Sequence, residues 1–166
     1  MAVIGGMTAL DESVLRNMGD EALGIVTTSW YSAELDNPLN KAFAAAFRKQ
    51  FKYDPGYYAG GTYVSGEVLE AGLKAAKGNA EDKKALMTAI RGSNAETVRG
   101  VIKFDEFGNA NGDVYIRKVT RKEGRLVNSV IKTYPNVSQF WTYDKIAFLK
   151  NPVYSRDYPP AKNLEQ

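Results

Sequence analysis

Residues 37–92 carry three consecutive helix signatures, and the segments on either side carry strand signatures; that order restricts the chain to the α/β class. Asn37 followed by Pro38 marks a helix start, because Asn caps free amides of the first turn and Pro forfeits no hydrogen bond there. Leu39, Phe43 and Phe47 then recur every four residues, the stripe of a helix with one buried face. "YDPGYYAGG" interrupts the pattern with turn chemistry. A second helix is expected over about residues 62–77, carrying Leu69 and Leu73 and stopping at Gly78. A third, capped at Asn79 with Asp82 three residues on, carries Leu86, Met87 and Ile90 and stops at Gly92.

On the N-terminal side, "AVIG" reads as the end of a buried strand halted by Gly5 and Gly6. Almost nothing precedes it, which suggests a portion of a longer protein; a short strand docked into a sheet is the alternative. "DESVLRNMGD" reads as a short helix capped by Asp11, and "ALGIVTTSWY" as a second strand. Beyond the helices, "TVRGVIKF", "DVYIRKV" and "RLVNSVIKTY" are strand-like, the last two joined by "TRKEG" with Gly124 placed for a hairpin turn. From Pro135 the text is aromatic and Pro-containing without a period, as in "NPVYSRDYPP", and reads as an ordered, irregular tail covering apolar surface.

The chain of 166 residues has no Cys and no His, which removes thiol nucleophiles, Ser-His-Asp relays and the usual soft metal ligands. "GVIKFDEFGNANGDVYI" invites a calcium reading that fails on its residues. With Asp105 first in the loop, Phe107 falls where an oxygen ligand is needed, Ala110 replaces the turn glycine and Ile116 sits where the bidentate Glu belongs. Carboxylate acid-base work by Asp11, Glu12 or Asp36 finds no support in their spacing, and "EAGLKAAKGN" lacks phosphate-loop spacing. No catalytic residue, metal or cofactor is therefore expected. The net charge of +3 is spread among acids, so nucleic acid is not an expected partner. Neither a membrane-spanning run nor a secretion signal is visible in the chain.

Several phrases in order, "VIGG", "GDEALGIVTTSWY", "NPLNKAFAAAFRKQFKYDPGYYAGGTYVSGEVLEAGLKAA" and "VRGVIKFDEFGNANGDVYIRKV", resemble the C-terminal half of type I periplasmic substrate-binding proteins of ABC transporters. The branch is that of leucine/isoleucine/valine-type receptors, which includes binders of aromatic and other carboxylic acids. The resemblance implies a doubly wound α/β fold in two lobes, of which this chain holds parts. Residues 1–31 and 113–134 would belong to one lobe, residues 32–112 with their helices to the other, and 135–166 to the tail. It also implies a periplasmic receptor for a small organic acid that works with an ABC permease. A ligand-sensing module of a signalling or transcriptional regulator on the same fold is the alternative. Uncovered faces of such a portion would be satisfied by a missing N-terminal half or by self-association.

In open α/β sheets ligands bind beyond the carboxyl ends of strands. "GGMT" stands at such a place, so Gly6, Met7 and Thr8 are candidate ligand contacts; the alternative is that the glycines turn the chain and Met7 fills core. The position resembling Met7 is acidic in amino-acid-binding relatives, where it holds the ammonium group. A thioether cannot neutralise a buried ammonium, so an aromatic or small organic acid is the expected ligand. Trp30 and Tyr31 are candidates to stack on a planar ligand, with hinge packing as the alternative. Ser32, Gly112 and Asp113 are the expected hinge. Tyr57, Tyr58 and Tyr63 read as packing, and Arg48, Lys49 and Lys52 as a solvated helix face. The "FDEFG" turn reads as a lobe-closing turn built by Asp105 and Asn109, with Gly108 supplying an unusual φ.

Overall fold

The computed structural model describes residues 3–152. The expectation for the end of the aromatic tail, "VYSRDYPP" and beyond, falls outside the described residues. Strand β1 (Ile4–Gly5) is followed by α1 (Glu12–Leu15), a 3-10 turn (Asp20–Ala22) and β2 (Val26–Ser29). Helices α2 (Pro38–Phe51), α3 (Tyr57–Ala75) and α4 (Lys83–Gly92) come next. Then come β3 (Ala95–Thr97), β4 (Gly100–Phe104), β5 (Ala110–Lys122), β6 (Arg125–Val137) and α5 (Lys145–Leu149). The sheet runs β1-β2-β5-β4-β3, with β6 also on β5; β1 and β2 are parallel and the other pairs antiparallel. The class is α/β, as the sequence order requires.

Local chemistry accounts for most boundaries. Asn37 accepts the Asn40 amide at 2.7 Å and Pro38 opens α2, which ends at a left-handed Lys52. The Glu123-Gly124 turn has φ of 48° and 77°, the pair of positive angles that matches the twist of a two-residue hairpin. Asp105 Oδ1 accepts the Phe107 and Asn109 amides, both at 2.9 Å, and Gly108 has φ 82°. Asn109 serves that turn with its backbone carbonyl, which accepts the Asp105 amide.

Three expectations are corrected. Helix α3 starts at Tyr57 instead of residue 62, because its cap comes from Asp11 in a distant segment and leaves no local signature. Helix α4 is capped by Asp82, which accepts from the Ala85 amide at 2.9 Å, while Asn79 closes the turn before it. The stretch after Pro135 is less irregular than its composition suggests: β6 runs to Val137 across two bulges against β5, and α5 follows behind its own Asp144 cap.

Apolar side chains gather in two clusters. The larger joins Tyr31, Leu35, Val64, Val68, Val98, Ile102 and Tyr115; the smaller joins Leu10, Leu15, Ala22 and Val119. Strand β5 feeds both, Tyr115 into the first and Val119 into the second, on one face because side chains alternate along a strand. Arg117 occupies that same face between them.

Candidate functional site

Between the two clusters lies a seam of buried polar groups, Asp11, Glu12, Thr27, Ser29, Ser32, Arg117 and Asn128. Arg117 is wholly buried. Its Nη1 donates to the Tyr31 carbonyl at 2.8 Å, its Nε to Thr27 Oγ1 at 3.2 Å and its Nη2 to the Met7 carbonyl at 3.5 Å. One side chain thus ties the loop after β1 to the end of β2. Burial lowers the Arg117 pKa, an effect opposed by the nearby charges of Glu12 and Asp11.

Glu12 is buried in the same seam. Its Oε1 accepts from Asn128 Nδ2 at 3.2 Å, and the same amide donates to the Leu10 carbonyl at 2.8 Å. Burial pushes the Glu12 carboxyl up to about 7 against the opposing pull of Arg117. Ser32 donates to the Asn128 carbonyl at 2.5 Å, and Asn40 Nδ2 reaches the carbonyls of Ser32, Ala33 and Leu35, so the chain leaving β2 is held from both sides.

Of the residues singled out from sequence, Gly6 and Thr8 are exposed and Met7 is half-buried in a turn. Trp30 is 39 % exposed and meets Tyr57 edge-on at 5.8 Å. Tyr31 is 2 % exposed, its ring in the larger cluster, and its carbonyl is the Arg117 acceptor. Arg117 therefore brings Met7 and Tyr31 together through their backbones, with Trp30 next in the chain. Gly112 and Asp113 lie at the first bulge of β5 against β6, where Asp113 Oδ1 accepts the Asn136 amide at 3.0 Å. Tyr57 and Tyr58 stack at 4.2 Å, and their hydroxyl contact raises the Tyr57 pKa to about 12. Tyr63 packs on Phe43 at 4.4 Å, and Arg48 pairs with Asp54, so it is not a freely solvated charge.

Sequence reading missed Arg117 and Arg99. In "DVYIRKV" Arg117 looks like a surface charge next to Lys118, and only the pairing of β5 on both edges turns it inward. Arg99, in the turn between β3 and β4, places its guanidinium 5.2 Å from the Trp30 ring. It donates to the Asp113 carbonyl at 3.5 Å. A cavity of about 370 Å³ opens beside these two residues. Among the described residues no group of His, Cys, Asp and Glu has the arrangement of a metal site.

The described residues thus form one mixed sheet with helices, and a buried polar seam separates its two apolar clusters. Residues 1–125 match the family described as periplasmic binding protein, and the chain belongs to that family. It is 28% identical over 127 residues to the Leu/Ile/Val-binding protein homolog 6 of Brucella abortus, an alignment covering 74% of this chain and 32% of that protein. Among solved structures, it is similar to a solute binding protein of an ABC transporter from Rhodopseudomonas palustris BisB5, in complex with 3,4-dihydroxy benzoic acid. That match has 36% identity and a TM-score of 0.77, covering 82% of this chain and 38% of that one. Another, an R. palustris solute binding protein in complex with benzoate, shows 28% identity and a TM-score of 0.72, covering 85% and 38%. The chain thus spans about a third of the length of the curated relatives it matches. The fold is that of type I periplasmic binding proteins, of which this chain covers a part.

Proposed function

We propose that this chain is part of a periplasmic solute receptor that captures a small organic acid, an aryl carboxylate foremost, for an ABC permease. The observation that carries the reading is the buried polar seam around Arg117, lying between two apolar clusters that share β5. A receptor that shuts on its ligand needs such a junction, where two bodies meet through polar contacts that can be remade. In this reading residues 1–31 and 113–134 serve one lobe and 32–112 the other, with Ser32, Gly112 and Asp113 as hinge.

The ligand wall is assigned to Gly6, Met7, Thr8 and Trp30, with Tyr31 fixing its edge through the Arg117 bond. Met7 offers a polarisable thioether and Trp30 a half-open indole, surfaces suited to a planar ring and unsuited to an ammonium group. The complexes of its relatives with 3,4-dihydroxy benzoic acid and benzoate support that ligand class. Ligand shifts the protein toward the closed arrangement by binding it more tightly than the open one, and the permease reads closure. The exposed aromatic groove between α2 and α3, lined by Phe43, Phe47 and Tyr63, is assigned to the remainder of a receptor of the relatives' length. The chain alone then self-associates through that groove. Calorimetric titration with 3,4-dihydroxybenzoate, benzoate and leucine tests the reading. Saturable heat with the aryl acids and none with leucine is expected; tight leucine binding without aryl acid binding overturns it.

A further inference from the structure

Resting on that reading for the class of ligand, we infer that Arg99 is the residue that holds the ligand's carboxylate, in the cavity it shares with Trp30. The cavity of about 370 Å³ lies where the end of β2, the β3–β4 turn and the start of β5 meet, and is walled by Trp30, Arg99, Gly112, Val114, Ser138 and Gln139. That volume falls in the range of small-molecule sites.

The state of the Arg99 guanidinium points to an anion. Among the described residues its Nε is buried without an acceptor, and the guanidinium's hydrogen bond to the Asp113 carbonyl is long at 3.5 Å. No carboxylate of the described residues lies within ion-pair distance of it, whereas Arg48 and Arg125 share Asp54 and Arg121 has Asp20. The neighbouring Asp113 carboxylate is engaged with the Asn136 amide. The Arg99 guanidinium is half-buried and the Asp113 carboxylate acts on it without forming an ion pair, so its charge is only partly compensated, and an anion entering the cavity completes the compensation.

Position and shape fit the same role. The Arg99 backbone is fixed on both sides, its amide donating to Thr97 Oγ1 at 3.2 Å and its carbonyl accepting from the Tyr115 hydroxyl at 2.7 Å. The side chain is therefore presented from a rigid turn, and Trp30 steadies the guanidinium face. The planar fork matches a carboxylate in a way an ammonium cannot, while the indole offers apolar surface to the ring behind it. Nothing in "TVRGVIKF" distinguishes this Arg from a surface charge; its role follows from where the turn sets it.

The test is calorimetric titration of benzoate, with benzamide as its uncharged isostere, into the chain and its Arg99→Gln and Arg99→Lys variants. The Nε resonances of 15N-labelled arginine are followed in parallel. Benzoate is expected to shift the Arg99 resonance saturably and benzamide to leave it still. Arg99→Gln is expected to weaken benzoate by about tenfold or more, with Arg99→Lys in between. Benzoate binding that is equally tight in folded Arg99→Gln, with no shift at Arg99, overturns this assignment and leaves the receptor reading standing. Absence of binding by any aryl acid to the unmodified chain overturns both.

Discussion

Asp11 caps two helices with one carboxylate: Oδ2 holds the Ser13 hydroxyl at 2.8 Å at the start of α1, and Oδ1 accepts the Tyr57 amide at 2.7 Å at the start of α3. Gly56 makes the second contact possible, since a Cβ there would lie 2.0 Å from Asp11 Oδ2. Asp11→Ala is expected to lower stability by about 2 kcal/mol, the sum of a lost cap and an orphaned amide. Gly56→Ala, which displaces the same carboxylate, should cost little more in the Asp11→Ala background. Full additivity in urea unfolding contradicts the shared cap.

Removing Arg117 strands the Met7 and Tyr31 carbonyls and leaves Glu12 without its neighbouring cation. Arg117→Met is expected to cost about 3 kcal/mol or more, because breaking one side of a buried charged network leaves the other uncompensated. A loss below about 1 kcal/mol, the scale of an exposed ion pair, would show that the seam is open to water.

Glu12 gives the seam a pH dependence. Its carboxyl is raised from 4.5 to about 7 by burial, so the folded chain binds this proton more tightly than the unfolded chain. The stabilisation is complete below the unfolded value of 4.5 and is lost as pH rises through about 7. Glu12→Gln should therefore flatten the stability profile, with a difference approaching about 3 kcal/mol above neutrality. Parallel pH profiles for the two proteins contradict the assignment.

Met7 tests the ligand class independently of Arg99. Met7→Glu places a carboxylate in the turn whose backbone meets Arg117. It is expected to weaken aryl acid binding by about tenfold through like-charge repulsion and the cost of desolvating a new carboxylate. Unchanged benzoate affinity, measured by calorimetry, removes Met7 from the ligand wall.

What could be read from the sequence was what is encoded locally. Asn37, Pro38, Asp105 and Gly124 announce their structures within a few residues of themselves, and the order of helical and extended segments announces the class. Non-local roles were invisible. Asp11 reads as the cap of its own helix and gives no sign of Tyr57, 46 positions away in the chain. Arg117 and Arg99 look like ordinary surface charges until strand pairing and a turn place one between two cores and the other beside Trp30. The indole itself stood out from sequence because a large aromatic at the end of a strand is a conspicuous local feature, whereas its partner is set by tertiary structure.

The most direct measurement is amide hydrogen exchange of the chain with and without benzoate. Closure of the seam on ligand binding should slow exchange at the Tyr57 amide, through residues 29–33 and at 110–115. Amides on the far side of α4 should be left unchanged. Binding that leaves exchange across the seam untouched, or protects α4 instead, contradicts a receptor that closes at this junction.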